Sequence, residues 1–335
     1  MLFRSRALKK KFGMDRPWWT WPAKYSQYSE DLLLEKDLKT EIQKTFETQY
    51  LFQKQWMKTV EHAHLKGIQI IGDMPMYVAS DSADVWAHQE LFDLNDQGKP
   101  HVLAGAPPDR FCEEGQLWGN PVYRWDVLEQ TGYTWWIQRF KRLFALYDLV
   151  RLDHFLGFCN YYAIGEGKSA RDGSWCKGPG KKLFDKAYEQ LGTLPVIAED
   201  LGILTPGVRA LVAGCGFFGM DIMQFSDDDI FQSYKPGPQK ICYSATHDNQ
   251  TLIGYCQQAG CENPQKEAKK LIERLFETDG KVVICPLQDI LGLGDEARMN
   301  RPGTAEGNWK WQASEKQIKD SGDFLAQLTQ KTKRA

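Results

Sequence analysis

The sequence predicts an α/β fold, a TIM-type β/α barrel of parallel strands, on three observations. Short apolar runs rich in β-branched residues recur along the chain, as is typical of buried parallel strands. Most of these runs are separated by segments with helical periodicity, which indicates βαβ units. Several runs end in a carboxylate, and in such barrels the carboxyl ends of the strands form the active-site rim. The six predicted strands lie near residues 68–73, 149–153, 194–199, 217–225, 241–248 and 282–287.

The helical segments follow the same order along the chain. A helix is predicted over about 38–66, with Gly67 as its stop. We interpret residues 1–66 as an N-terminal helical segment, the remnant of an insertion, in which the basic first eleven residues form a frayed, solvated terminus. Residues 67–335 would form a partial β/α barrel with insertions near 74–133 and 157–180. Further helices are predicted near 136–147, 181–192, 250–258 and 265–277, with a short one after Pro206 and another at the end of the chain.

Composition limits the functional classes. The 335 residues include 42 basic and 44 acidic side chains, so no basic field favours nucleic acid. No apolar run approaches the roughly 18 residues of a membrane span. Eight cysteines occur without a C-x-x-C pair, and reduced thiols explain them better than disulfides. We therefore expect a cytoplasmic protein, or a plastid protein in a plant or alga, that binds neither nucleic acid nor membranes.

Aromatic residues are unusually frequent, with 12 Trp, 13 Tyr and 17 Phe. Several tryptophans fall in loop-like segments, among them Trp118, Trp309 and Trp311. Flat apolar rings beside polar groups suit the faces of sugar rings. This distribution favours a carbohydrate ligand.

Acids at the ends of three strands are candidates for chemistry. Arg151 and Asp153 lie two apart on a strand and should project together, and a neighbouring guanidinium favours the ionised form of an aspartate. Glu199 ends the third strand, and only one of Glu199 and its neighbour Asp200 can face inward. His247 and Asp248 end the fifth.

Two chemistries fit these acids. Two carboxyl groups suffice for glycosidic cleavage with retention, whereas Asp, Glu and Asp at strand ends could ligate Mg²⁺. The metal alternative usually adds a Lys or His base at a nearby strand end, and no lysine ends a strand here. The Trp-rich loops and Arg151 fit a sugar better.

The chain resembles the amylomaltases, the 4-α-glucanotransferases or disproportionating enzymes of the α-amylase clan. The matching motifs span nearly the whole chain after about residue 17, in the family's order. They are GDMPMYVASDSADVW (72–86), GAPPDRF and GQLWGNPVYRW within 105–125, VRLDHF (150–155), GPGKKLF (178–184), AEDLG (198–202), THDNQT (246–251), and QDILGLGDEARMNRPGT and NWKW within 288–311.

The resemblance implies a 4-α-glucanotransferase that transfers α-1,4-glucan segments between maltodextrins without metal or cofactor. Asp153 would be the nucleophile, Glu199 the general acid/base, and Asp248 the third acid, which grips secondary hydroxyls of the sugar. The two catalytic carboxyls should then lie about 5–5.5 Å apart, as in retaining enzymes. The residues implied in substrate binding are Asp73, Tyr77, Gln116, Trp118, Asn120, Arg151, His154 and His247.

The chain also departs from the family. Members carry a preceding block with the first two barrel strands, so the six strands here would be the third to eighth, with open edges. A complementing chain or self-association is therefore expected. Leu156 and Gln312 stand where the family usually has Arg, and Phe218 replaces a usual Pro. The alternatives are a truncated, inactive or α-glucan-binding homologue, or an α-glucan hydrolase.

Overall fold

The computed structural model describes residues 2–108, 112–202, 204–226, 229–304 and 306–334. Two of the motif stretches, 105–125 and 288–311, therefore include residues outside the described ranges. The contacts divide the chain into two units, residues 1–217 and 218–335.

Unit 1 contains seven strands in two sheets within its described residues. The strands in chain order are β1 (Ile71–Met74), β2 (Val102–Ala106), β3 (Gln116–Pro121), β4 (Leu149–Leu152), β5 (Asn160–Gly165), β6 (Ser174–Lys177) and β7 (Val196–Ala198). In one sheet, β4 lies between β1 and β7 and is parallel to both. The other sheet is antiparallel, in the order β3-β2-β5-β6.

The helices of unit 1 begin and end at recognisable signals. The Thr205 hydroxyl accepts from the Val208 N–H at the start of the last helix, which ends at Gly216 with φ 68°. Gly67, with φ 71°, follows the end of the 30-residue third helix, as predicted. The helices are α1 (Leu2–Phe12), α2 (Ala23–Ser26), α3 (Lys36–Leu65), α4 (Ala83–Ala87), α5 (Trp125–Gln130), α6 (Thr134–Phe144), α7 (Leu156–Cys159), α8 (Lys181–Leu191) and α9 (Pro206–Cys215).

The prediction of a frayed N-terminus was wrong. Residues 2–12 form helix α1, in which Ala7 and Leu8 are buried. Arg4 Nη1 donates a 2.8 Å hydrogen bond to the Tyr28 hydroxyl, and Lys9 pairs with Asp81. The few apolar residues between the basic ones suffice because they fall on the side that packs into the core.

An aromatic cluster fixes the helices against the parallel sheet of unit 1. The Trp136 and Phe158 ring centroids are 5.2 Å apart, and those of Phe158 and Phe184 are 5.3 Å apart. All three side chains are fully buried. Each such ring stabilises the fold by about 1.5–3 kcal/mol through removal of apolar area from water. Helices α6, α7 and α8 are thereby held in place.

The antiparallel sheet was not predicted as a sheet. The sequence indicated only irregular insertions near 74–133 and 157–180, yet the first supplies β2 and β3 and the second supplies β5 and β6. Gly105 lets β2 and β3 approach closely, since a Cβ there would lie 2.1 Å from the Gln116 carbonyl oxygen. The strands are short and the β2–β5 pairing joins distant segments, so local periodicity gave little signal.

Unit 2 contains three parallel strands and four helices within its described residues. The elements are β8 (Phe218–Ile222), β9 (Lys240–Tyr243), α10 (Leu252–Gln258), α11 (Pro264–Phe276), β10 (Val282–Ile284), α12 (Leu287–Ile290) and α13 (Glu315–Lys331). Strand β9 lies between β8 and β10. The buried Asp289 side chain accepts from the Ser244 hydroxyl at 2.7 Å and from the Leu252 N–H at 2.8 Å, which ties α12 to the segment after β9.

All six strands predicted for the barrel are present, three in each unit, and the predicted helices separate most of them. The α/β class is therefore confirmed. The eight cysteines all carry free thiols, as expected. Among the described residues, none of the helices has the length and apolar character needed to span a membrane.

Candidate functional site

The strand register of unit 1 brings Asp73 and Arg151 together. Asp73 on β1 is the register partner of Arg151 on the parallel neighbour β4. Asp153 follows β4 directly, and Glu199 follows β7 directly. Because the carboxyl ends of parallel strands meet at one edge of a sheet, these four side chains share that edge.

Arg151 joins two carboxylates. Its Nη1 lies 2.9 Å from a carboxylate oxygen of Asp73 and 2.9 Å from one of Asp153. The arginine side chain is mostly buried, whereas both aspartates are nearly half exposed. Burial lowers the pKa of Arg151, but the charges of Asp73, Asp153 and Glu199 outweigh it, and the pKa is raised overall. The prediction that Arg151 and Asp153 project together is confirmed.

Glu199 has a contrasting environment. Its side chain is buried, and its two oxygens accept main-chain hydrogen bonds from His154 at 2.7 Å and from Leu201 at 3.1 Å. Burial raises the pKa of Glu199 to about 8; the charge of Asp153 adds to this, while Arg151 and the two N–H donors oppose it. The environment of Glu199 therefore favours its protonated form, although its neighbour at the sheet edge is paired with a cation.

Such a pair of carboxyl groups is suited to acid and nucleophile roles. Burial favours the neutral form of Glu199, whereas the Asp153 carboxyl lies against the guanidinium of Arg151. The sequence left open whether Glu199 or Asp200 faces inward. Both are buried, and the Glu199 carboxyl contacts the segment after Asp153.

The His154 ring lies in contact with two aromatic side chains. His154 is partly buried, with its Nε2 atom inside, and burial lowers its pKa to about 4, so the ring is neutral. The ring centroid lies 4.7 Å from that of Trp118, edge-on, and 6.3 Å from that of Tyr77. The Tyr77 and Trp118 centroids are 6.0 Å apart. Three of the predicted substrate-binding side chains therefore form one cluster.

The remaining predicted residues of β3 have other contacts. The Trp118 indole N–H donates to Gln116 Oε1 at 3.0 Å, which orients the ring from an exposed side chain. The Asn120 side-chain amide donates to the Val78 carbonyl at 2.8 Å. Asn120 thus anchors β3 to the segment that carries Tyr77.

Asp248 in unit 2 has two partners that the sequence analysis missed. Asn300 Nδ2 donates a 2.6 Å hydrogen bond to Asp248 Oδ1, and Arg298 Nη2 donates a 2.6 Å bond to its main-chain oxygen. His247 Nε2 lies 3.4 Å from Asp248 Oδ2. Asn300 and Arg298 belong to the quoted motif around MNRPGT, but about fifty residues separate them from Asp248, so no local spacing links them.

His247 also supports an exposed tryptophan. Its ring centroid lies 5.2 Å from that of Trp309, with the rings tilted by 40°. Trp309 is 59% exposed and has a left-handed backbone with φ 59°, held by a 2.7 Å bond from its N–H to the Met299 oxygen. An exposed ring next to an acid can stack on the apolar face of a sugar.

The alternative of a metal site finds no geometric support. Within the ranges that the structure describes, there is no group of three or more His, Cys, Asp or Glu side chains placed to hold an ion.

Comparisons with known proteins agree on one family. The family described as 4-alpha-glucanotransferase matches residues 2–317. A 4-alpha-glucanotransferase of Thermus thermophilus is 41% identical over 331 residues, which cover 91% of this chain and 66% of the relative. One from Streptococcus pneumoniae (strain ATCC BAA-334 / TIGR4) is 37% identical, covering 95% and 67%. This chain thus spans about two thirds of the length of these relatives.

Solved structures agree. An amylomaltase from Streptococcus agalactiae, in complex with acarbose, is 36% identical with a TM-score of 0.91, covering 99% of this chain and 71% of that one. An amylomaltase from Corynebacterium glutamicum, 18% identical with a TM-score of 0.68 and covering 92% of this chain and 49% of that one, shares the fold. The β/α-barrel class predicted from the sequence is confirmed by these matches.

Proposed function

The chain belongs to the 4-alpha-glucanotransferase family, and on that premise we propose that it transfers α-1,4-glucan segments between maltodextrins by retaining double displacement. The observation that carries this proposal is the contrast between two carboxyl groups. Asp153 is paired with Arg151 at 2.9 Å, whereas burial raises the pKa of Glu199 to about 8. A retaining transferase needs an ionised nucleophile beside a protonated acid.

In the first step, an Asp153 oxygen forms a bond to the anomeric carbon of the donor glucan. The glycosidic bond breaks, and Glu199 gives its proton to the departing oxygen. In the second step, the ionised Glu199 takes the proton from the 4-hydroxyl of an acceptor glucan, whose oxygen displaces Asp153. No external reactant is consumed, and both residues return to their starting states.

The other residues take supporting roles in this proposal. Asp248 binds secondary hydroxyls of the sugar, and its 2.6 Å hydrogen bond from Asn300 keeps that carboxylate oriented. The neutral His154 and the rings of Tyr77 and Trp118 contact the glucan as an aromatic cluster. The predicted role of Asp73 in substrate binding is supported by its shared contact with Arg151. Gln116, Asn120 and His247 complete the proposed binding set.

The proposed organisation is a helical segment, 1–66, followed by a catalytic region, 67–335. Two insertions, near 74–133 and 157–180, are proposed within the catalytic region, and both contribute to one sheet. Together they supply the four strands of the antiparallel sheet, in which β2 pairs with β5. That sheet carries Trp118.

We also propose a partner at the open side of unit 1, a complementing polypeptide that adds a strand beside β1. Among the described residues, β1 lies at the end of its sheet, and Ile71 on it is 39% exposed. Helix α3 also exposes Phe46, Tyr50 and Met57 on one side. An unpaired strand edge and exposed apolar side chains within one unit favour an added strand.

Sedimentation velocity over a concentration series tests this partner, with Phe46→Glu and Ile71→Glu as variants. A complementing fragment of a relative that binds the wild-type chain and not the variants supports the proposal. Concentration-dependent dimers lost in the variants would assign the surface to a second copy instead. A monomer that binds no fragment and unfolds cooperatively contradicts both.

A cytoplasmic location, or a plastid one in a plant or alga, is proposed as well. Eight free thiols support it, because disulfide-forming compartments rarely leave so many cysteines unpaired. The proposal includes no nucleic-acid or membrane partner.

Incubation with maltotriose tests the activity, with Asp153→Asn as the inactive variant. Asp185→Asn, an exposed acid on α8, is the matched control. Glucose together with longer maltodextrins, lost in Asp153→Asn and retained in Asp185→Asn, supports the transferase. Glucose and maltose without longer products would indicate a hydrolase. A folded protein that binds maltodextrin without turnover would be an α-glucan-binding homologue.

A further inference from the structure

His154 has an unusual backbone conformation directly after the proposed nucleophile. Its φ is 50°, in the left-handed region. For a residue with a side chain this conformation is unfavourable, and it persists only where surrounding contacts offset the cost. Residues in such conformations occur frequently at functional sites. The contacts of the His154 backbone and ring show what holds this conformation.

The conformation directs a hydrogen-bond donor at Glu199. The main-chain N–H of His154 donates to Glu199 Oε2 at 2.7 Å. The next N–H, of Phe155, donates to the Glu199 main-chain oxygen at 3.1 Å, and the Glu199 N–H donates to Leu152 at 3.0 Å. The segment that leaves β4 therefore holds Glu199 by both its main chain and its carboxyl group.

The packed imidazole holds the conformation in place. Trp118 packs edge-on against it with centroids 4.7 Å apart, and the Tyr77 ring centroid lies 6.3 Å away. On the other side, a methyl group placed on Gly157 would lie 3.0 Å from His154 Cδ2, so the chain leaves no space there. Nε2 is buried and makes no hydrogen bond within the described residues. The ring thus acts by packing more than by polar contacts.

The charges facing Glu199 are few. Arg151 and Asp153 act on it with opposite signs, and its neighbour Asp200 is also buried. The imidazole of His154 is neutral and contributes no charge. The two N–H donors, from His154 and Leu201, favour the ionised form of Glu199 against the effect of burial.

We propose that His154 is a positioning residue: its left-handed backbone, held by the packed imidazole, directs a main-chain N–H at Glu199 and sets the balance between the protonated and ionised acid. A group that donates a proton in one step and accepts one in the next needs both forms to be accessible. This inference rests on the proposed acid/base role of Glu199. Its test does not depend on turnover.

Two substitutions distinguish the effect of the His154 backbone conformation from the effect of its imidazole ring. Glycine adopts positive φ without cost, so His154→Gly can keep the N–H in place without the imidazole. Valine is β-branched and strongly disfavours this conformation, so His154→Val withdraws the N–H. The pH titration of the Glu199 carboxyl is followed by NMR in protein labelled with ¹³C at glutamate side chains. The signal is assigned by its loss in Glu199→Gln.

We expect the Glu199 pKa to rise by about one unit or more in His154→Val, because the ionised carboxyl loses a hydrogen-bond donor. In His154→Gly the pKa should stay level or fall, since water then reaches the carboxyl. If His154→Val does not fold, His154→Ala replaces it, because alanine also disfavours positive φ. An unchanged or lowered Glu199 pKa in His154→Val and His154→Ala would overturn the proposal. An equal rise in His154→Gly would also overturn it, because the effect would then belong to the ring.

Discussion

The Nη1 atom of Arg151 lies 2.9 Å from a carboxylate oxygen of Asp153. The two residues are neighbours on one face of a strand end, so the contact needs no adjustment of the backbone. The same cation also opposes the rise in the pKa of Glu199. One buried guanidinium therefore acts on both proposed catalytic groups.

Replacement of Arg151 should affect both groups at once. In Arg151→Met, Asp73 and Asp153 lose their shared partner, and the pKa of Glu199 should rise above the wild-type value because an opposing charge is lost. We expect kcat/KM for maltotriose to fall by roughly 10²-fold or more, the usual effect of removing a preorganised electrostatic contact. Arg171→Met, at an exposed pair with Glu114, is the control and should change little. Near-normal activity in Arg151→Met would contradict this role.

The pH dependence of turnover should follow Glu199. The proton that it donates is lost as pH rises through its pKa of about 8, so kcat/KM should have an alkaline limb near that pH. Glu199→Gln cannot donate a proton and should lose roughly 10²–10⁴-fold in kcat. Steady-state rates between pH 5 and 10 measure the limb. A profile that stays flat through this range is incompatible with Glu199 as the acid.

Stability should also depend on pH through Glu199. Its pKa is raised from 4.5 in the unfolded chain to about 8 in the folded protein. Below the unfolded value both states are protonated; as pH rises towards the folded value, only the unfolded state releases the proton, and the folded state is progressively destabilised. The loss approaches about 4–5 kcal/mol at most, since one unit of pKa corresponds to about 1.4 kcal/mol.

Glu199→Gln should remove this dependence, because its side chain stays neutral. Urea unfolding at pH 5 and pH 8.5 should give similar free energies for the variant, and a clear decrease at pH 8.5 for the wild type. Glu189→Gln, an exposed residue, is the control and should behave as the wild type. Parallel decreases in all three proteins would show that another group is responsible.

Asn300 should matter for Asp248 through one hydrogen bond. In Asn300→Ala the 2.6 Å bond to Asp248 is lost, and kcat/KM should fall by about 10- to 100-fold, because a hydrogen bond to a charged group contributes roughly 1.5–3 kcal/mol. Asn263→Ala is the matched control: it removes the cap of α11, so it lowers stability by about 1 kcal/mol with activity retained. Equal effects of both variants on kcat/KM would argue against a specific role.

Trp309 should act in glucan binding. Its ring is exposed beside His247, so Trp309→Ala should raise KM for maltodextrins by several-fold with a smaller change in kcat. Loss of one stacking contact typically costs about 0.5–1.5 kcal/mol. Trp175→Ala, an exposed tryptophan of the antiparallel sheet, is the comparison. An unchanged KM in Trp309→Ala, measured by steady-state kinetics, would exclude a role for this ring in glucan binding.

Much of the fold could be predicted because parallel strands are local features. The run that ends at Asp153 is apolar, is bounded by turn signals and appears as β4 within one residue of the predicted limit. Helix α3 was predicted to within two residues at either end, because its C-terminal signal, Gly67, is also local. The antiparallel sheet escaped prediction, since β2 and β5 pair across more than fifty residues.

The sequence by itself determined the α/β class, the strand order along the chain and the acids that end the strands, because side-chain periodicity and turn residues act over short distances. Only the tertiary structure decided what those acids contact. The pairing of Arg151 with Asp73, the left-handed His154 whose N–H meets Glu199, and the Asn300 bond to Asp248 all join residues that are far apart in the chain. The raised pKa of Glu199 follows from burial, and burial exists only once those distant segments pack together.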